Sequence, residues 1–192
     1  GEAKEKLIKG INKIANAVGS TLGASGKTVI IEDDFGGPQV TKDGVTVANS
    51  ILLQNPIENL AVSMMKQAAQ KTAAIAGDGT TTSIVLTKAI IDYYYSEKAF
   101  EHSFRDVRKG MELYKDHIIK ILDKKAIPVK EDKLMQVSTI SANNDIKLGE
   151  TIAEAFTKAG DNGVVTMESS PTSETFIKAV QGTKIGSVSK TP

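Results

Sequence analysis

Cysteine is absent from this chain, and so is tryptophan. Without a thiol there can be no disulfide, no thiolate nucleophile and no cysteine-held metal. Histidine is nearly as scarce: His102 and His117 are the two in 192 residues, and isolated histidines do not make a recognisable zinc site. His117 reads as a satisfied or exposed helix residue. Aromatic residues amount to 5%, too few for a base-stacking surface, and 24 basic against 23 acidic residues leave a net charge of +1, with no field to draw nucleic acid or an anionic membrane. No apolar run reaches the length needed to cross a bilayer, and nothing resembles a signal peptide. Neither nucleic acid nor a membrane is expected as a partner.

What is present suits a globular chain of one to two domains, because 40% hydrophobic residues can fill a core. The expected fold class is mainly α with small β elements, an α+β arrangement. Leu7, Ile8, Ile11, Ile14, Ala15 and Val18 recur at helical spacing over 5–18, and Thr28-Val29-Ile30-Ile31 reads as a strand in a β-rich segment running through Val47. A helix over 56–76 starts at Pro56 behind an Asn55 cap and carries Ile57, Leu60, Ala61, Met64, Ala68 and Ala69; another continues with Val85, Leu86, Ala89, Ile90 and Tyr93. Phe104, Val107, Met111, Tyr114, Ile118 and Ile121 form a stripe that predicts a core-facing helix, which ends at Lys124-Lys125-Ala126-Ile127-Pro128, a plausible domain junction. Beyond it come a short helix around Leu134 and Val137, an Asn143-Asn144-Asp145 cap, and a helix bearing Ile146, Ile152, Ala153 and Phe156 up to Gly160. Two runs, 164–168 and 175–180, read as strands, and Gly182 after them reads as a plain turn or as a hinge. The chain starts at Gly1 without methionine and stops at Pro192 without a capped element, so both ends are expected to be cut.

The chemistry concentrates in Gly77-Asp78-Gly79-Thr80-Thr81-Thr82. Glycines let backbone amides approach an anion, threonines open a helix whose positive end faces that anion, and a carboxylate can hold a hard cation. The same residues also make ordinary caps in a loop between helices, and both readings stand at this point. A dinucleotide-binding GxGxxG is disfavoured, since that motif joins a strand to a helix and needs a third glycine where Thr82 stands. Gly23-Ala24-Ser25-Gly26-Lys27-Thr28 imitates a phosphate-binding P-loop, but Thr21 replaces its first glycine and a helix precedes it where a strand should. Lys42-Asp43-Gly44 reads as a hairpin turn between Gln39-Val40-Thr41 and Val45-Thr46-Val47, where Asp-Gly is a common pair.

Five motifs in one order resemble the group I chaperonins: Thr21-Leu22-Gly23, Gln39-Val40-Thr41-Lys42-Asp43-Gly44-Val45, Ala76 through Thr82, Ser138-Thr139-Ile140-Ser141-Ala142-Asn143, and Asp161-Asn162-Gly163-Val164-Val165-Thr166. The resemblance runs along almost the whole chain and implies an N-terminal part of a longer subunit. It implies a helical equatorial ATP-binding domain over 1–124, part of a small intermediate α/β domain over 125–181, and the first residues of an apical domain over 182–192. The remaining parts of the first two domains would come from a later segment that returns through both.

By the same resemblance, ATP, Mg²⁺ and K⁺ are the cofactors. Thr21, Leu22, Gly23 and Ala24 would line the nucleotide, Lys42 would face them, and Asp78, Gly79, Thr80, Thr81 and Thr82 would surround the phosphates, with Ile140 and Ser141 also touching the cofactor. Asp78 would ligate magnesium, Thr81 with the backbone near Thr21 and Lys42 would hold potassium, and Asp43 would orient or activate the attacking water. Ala24 departs from the family's proline, which should leave a less rigid loop. The implied function is an ATP-dependent chaperone that binds non-native proteins and folds them inside a homo-oligomeric double ring, seven subunits to a ring, beneath a co-chaperonin lid. This chain alone is expected to hydrolyse ATP poorly. A small-molecule phosphotransferase and a structural or assembly module without turnover are the alternatives. The expected location is the cytoplasm for a bacterial source, or the mitochondrial matrix or plastid where a targeting segment has been removed.

Overall fold

A computed structural model describes residues 1–180 apart from Ala24, Asp34 and Glu131. The expectations for Ala24, for Gly182 and for 182–192 lie outside the described residues. The described chain is mainly helical, with one small sheet. It falls into two compact units, Gly1–Asp116 and another that begins at His117.

In the first unit the elements run α1 (Glu2–Gly19), β1 (Val29–Glu32), β2 (Pro38–Thr41), α2 (Gly44–Ser50), α3 (Pro56–Ala76) and α4 (Thr80–Ser96), followed by a 3₁₀ turn at Ala99–Glu101. The strands pair antiparallel, with Val29 opposite Thr41 and Glu32 opposite Pro38. Asp33 closes the connection: its Oδ1 accepts from the amides of Phe35 at 2.9 Å and Gly37 at 2.7 Å.

The start of α3 carries its own chemistry. Asn55 Oδ1 accepts from the Ile57 and Glu58 amides ahead of Pro56, so the cap read from the sequence is present. The core gathers Ile14, Ala15 and Val18 of α1, Val47 and Ala48 of α2, Val62, Met65 and Ala69 of α3, and Ile84 of α4. Helix α1 also meets α3 through charge. Glu58 is buried, and its carboxylate takes Lys13 at 2.6 Å and Lys9 at 3.6 Å.

The expected hairpin through Lys42-Asp43-Gly44 is not formed. Val45, Thr46 and Val47 belong to α2, and β2 pairs with β1 instead. The reason is local: the Asp43 side chain accepts the Val45 and Thr46 amides, which starts a helix, and that helix buries Gly44, Val47 and Ala48 along one face. Helix α2 is held at its other end by Lys66 of α3, whose ammonium donates to the carbonyls of Asn49 at 3.0 Å and Ile51 at 2.7 Å. Burial lowers the pKa of this lysine.

Helix α5 (Phe104–Lys125) has the length the sequence predicts, but none of its residues is buried. In the stripe read as core Val107 is half-buried and the other five residues are exposed, Phe104 at 75% and Tyr114 at 67%. Periodicity reports that a face is apolar without reporting what covers it.

In the second unit α6 (Asp132–Ser141) packs against α7 (Ile146–Ala159), with Ser138 and Gly149 buried where they cross. Asp145 caps α7 through the Leu148 amide at 3.0 Å, and Asn143 and Asn144 turn the chain with positive φ. The runs 164–168 and 175–180 are not strands here. A strand exists by pairing, and the sheet among the described residues, β1 with β2, includes neither run.

Candidate phosphate and metal site

The Asp78 turn joins α3 to α4 with two left-handed residues. Gly77 has φ 76° and ends α3, its amide donating to the Ala73 carbonyl at 2.8 Å; Gly79 has φ 91° and stands at the start of α4. Both positions favour glycine because a Cβ is strained there. No side chain caps α4, so the amides of its first turn keep the positive end of a 17-residue helix available to an anion. Asp78 is exposed at that end, and its Oδ1 accepts the Gly79 amide at 2.5 Å. A carboxylate engaged through one oxygen retains acceptor capacity for a hard cation.

Two other segments reach the same place. The chain leaves α1 through Thr21, whose hydroxyl donates to the Val18 carbonyl at 2.8 Å, and turns back so that the Lys27 amide reaches Ser20 O, also at 2.8 Å. From the other direction α2 brings in Gly44. A Cβ built on Gly44 would overlap Thr81 Oγ1 and lie 3.1 Å from Thr81 Cβ and 3.2 Å from Thr21 Oγ1. Thr21, Gly44 and Thr81 are therefore in close approach although they are far apart in sequence. Gly44 is the residue that sequence reasoning missed. Its signal was present in Asp43-Gly44, but that pair was assigned to a hairpin.

Asp43 sits beside this junction. Its Oδ2 accepts the Thr46 hydroxyl at 2.6 Å and the Thr46 amide at 2.9 Å, and its Oδ1 accepts the Val45 amide at 3.3 Å. Partial burial works to raise its pKa, but the bonds from the Thr46 hydroxyl and from the Thr46 and Val45 amides together lower it. Asp43 thus remains a carboxylate at neutral pH. A carboxylate of lowered pKa is a weak base, better suited to orienting a water than to deprotonating it.

The other expected residues divide clearly. Lys42 is exposed next to Asp43, and Leu22 and Gly23 are exposed on the loop after α1. Thr80 is buried and Thr82 exposed at the start of α4. Ile140 and Ser141 lie in the second unit, both exposed at the end of α6. Among the described residues no group of three or more His, Cys, Asp or Glu side chains could hold a metal. A cation here would depend on one carboxylate together with hydroxyl, carbonyl and ligand oxygens. That donor set fits magnesium, which keeps waters and shares phosphates, and hydroxyl and carbonyl oxygens fit potassium.

The description TCP-1/cpn60 chaperonin family fits the sequence over residues 14–189. The chain belongs to that family. Among solved structures, this chaperonin chain is similar to the chaperonin gp146 of bacteriophage EL 2 (Pseudomonas aeruginosa), determined in the presence of ATP-BeFx. In one crystal form the identity is 32% and the TM-score 0.71, over 84% of this chain and 28% of that one. In the second form the values are 30% and 0.67, over 79% and 27%. A group III chaperonin in the open state matches at 25% identity and TM-score 0.66, over 80% of this chain and 31% of its own. The chain thus spans about a third or less of the length of these chaperonins. These matches establish the family and do not resolve group I within it. No described helix is long and apolar enough to cross a membrane.

Proposed function

We propose that the first unit holds the phosphates of ATP for a ring-forming chaperone of non-native proteins. The observation that carries this reading is the convergence of Thr21, Gly44 and Thr81 at the uncapped start of α4. Three separated segments leave a wall of hydroxyls and backbone in which one added methyl would not fit. The uncapped first-turn amides of α4 beside this junction are the donors an anion would take.

Each residue then has a task. The first-turn amides and hydroxyls of Thr80, Thr81 and Thr82 meet the phosphates, Asp78 takes magnesium, and Thr21, Leu22 and Gly23 lie along the nucleotide. Thr81, with backbone oxygens near Thr21 and Lys42, takes potassium. The cations, when bound, offset phosphate charge. Asp43 orients water by accepting a hydrogen bond, its low pKa keeping it anionic. Binding energy that differs between two arrangements of the subunit would bias which one is populated, and such a bias lets a nucleotide drive capture and release of a client. The phage chaperonin determined with ATP-BeFx supports nucleotide binding in this family. A ring, a co-chaperonin lid and non-native clients belong to the same proposal, and they concern the whole subunit.

The test is ATP binding and hydrolysis with magnesium and potassium, beside Asp78→Ala. Magnesium-dependent binding that this change abolishes supports the reading, with slow turnover by this chain alone. Binding equal in both proteins overturns the metal role. A phosphorylated metabolite among the products would identify a phosphotransferase instead.

A further inference from the structure

Three consecutive tyrosines end α4, and none of them enters the site above. Tyr95 and Phe100 instead converge on a cation from the other end of the unit. The Lys4 ammonium lies 4.1 Å from the Tyr95 ring centroid and 5.0 Å from that of Phe100. Tyr94 braces both rings, edge-on to Tyr95 at 5.1 Å and to Phe100 at 6.5 Å. Lys4 belongs to the first turn of α1, and among the described residues no carboxylate pairs with it. Its neighbour Lys6 by contrast takes Glu2 at 2.6 Å.

An ammonium against aromatic faces is held by the ring quadrupole, which needs the charge and tolerates methyl groups on nitrogen. A carboxylate partner behaves otherwise, since it loses its hydrogen bonds when the nitrogen is fully methylated. We propose that Tyr95 and Phe100, braced by Tyr94, form a socket that reads charge at position 4, with the lysine ammonium and its N-methylated forms as its ligand class. Lys4 is accordingly a modification site with two opposite outcomes. Methylation, in which the deprotonated Nζ lone pair takes a methyl group from a sulfonium donor and the thioether leaves with the electrons of the broken C–S bond, restores the positive charge on nitrogen and leaves α1 seated. Acylation abolishes it: the deprotonated Nζ lone pair forms an amide bond to the acyl carbon of a thioester or acyl phosphate, the carrier leaves with the electron pair of the broken bond, the nitrogen gives up a proton to the carrier or to water, and the first turn of α1 comes free. Lys4 is exposed, so reagents can reach it.

The absence of cysteine makes the test site-specific. Lys4→Cys is alkylated with (2-bromoethyl)trimethylammonium, or with the neutral isostere 1-bromo-3,3-dimethylbutane, and amide exchange is followed over residues 6–9. In the unalkylated variant these amides should exchange about two- to fivefold faster than in the native chain, the factor corresponding to an exposed cation–π contact. The trimethylammonium adduct should restore native protection, and the neutral adduct should not. Tyr95→Leu should erase the difference between the two adducts. Equal protection by both adducts, or a difference that survives Tyr95→Leu, overturns the proposal.

Discussion

Gly44 has no room for a side chain because Thr81 Oγ1 occupies the space its Cβ would take. The contact joins the start of α2 to the first turn of α4. Overpacking a close approach of this kind costs about 1–3 kcal/mol. Gly44→Ala should therefore lower the unfolding free energy from a denaturant titration by that amount, and Thr81→Ala added to it should recover part of the loss. A Gly44→Ala chain of native stability would show that the approach is not tight.

Asp78 contributes little to the fold, since it is exposed and its one hydrogen bond is to the next residue. Asp78→Ala should change stability by less than about 0.5 kcal/mol. Calorimetric titration should nevertheless lose magnesium-dependent ATP binding, while nucleotide affinity without metal stays close to native. A large fall in thermal midpoint would mean that the turn itself had been disturbed.

Asp43 should show the opposite balance. Removing an N-cap costs about 0.5–2 kcal/mol, so Asp43→Ala should destabilise the first unit at neutral pH. The hydrogen bonds from Thr46 and Val45 lower its folded pKa despite partial burial, so its contribution is present above the unfolded value and fades as pH falls through the folded one. Native and Asp43→Ala unfolding curves should approach one another below about pH 4, near the unperturbed aspartate value. Asp43→Asn retains a capping oxygen and should be the milder change at pH 7.

Glu58 provides a second acid-sensitive contact. The Lys13 hydrogen bond is the largest influence on it; burial opposes that bond, and the charges of Lys13 and Lys9 reinforce it, so the pKa is lowered. The sign is the same as for Asp43: stability from this pair is complete above the unfolded glutamate value and is lost as pH falls through the folded one. Glu58→Gln should be less stable than native at pH 7 and should converge with it in acid. A difference that persists unchanged at pH 3 would assign the loss to packing and not to charge.

Gly10 marks where α1 crosses α3, since a Cβ there would lie 2.9 Å from both the carbonyl carbon and the Cα of Glu58. Backbone cannot move aside as a flexible side chain can. Gly10→Ala should thus cost about 1–3 kcal/mol in a thermal or denaturant titration, and Ala3→Gly, at an exposed position of the same helix, serves as the comparison.

The legible parts of this fold were those fixed by neighbouring residues. Asn55-Pro56 and Gly77 bound α3 in the sequence as they do in the structure. The parts that depended on distant residues were read less well. On α3 the buried stripe runs through Ala61, Val62, Met65 and Ala69, while Leu60 and Met64 face outward. Spacing alone gave the period without its phase. Asp43-Gly44 signals a turn or a helix start equally well, and burial of Val47 and Ala48 decides for the helix. The runs at 164–168 and 175–180 have β character, but a strand needs a neighbour that composition cannot supply. For the candidate site, the Asp78 turn was legible because its glycines and threonines are contiguous. Gly44 was not, because its role is defined by Thr81 and Thr21, far away along the chain.

Helix α2 has seven residues, too few to persist on its own in water. Its order is borrowed from its surroundings: Val47 and Ala48 sit in the core, the Asp43 carboxylate holds the start and the Lys66 ammonium the finish. Gly44 is its first residue, so the tight contact with Thr81 is governed in part by a lysine roughly 10 Å away along the helix axis. A cation on α3 thereby sets the tolerance of a junction it never touches.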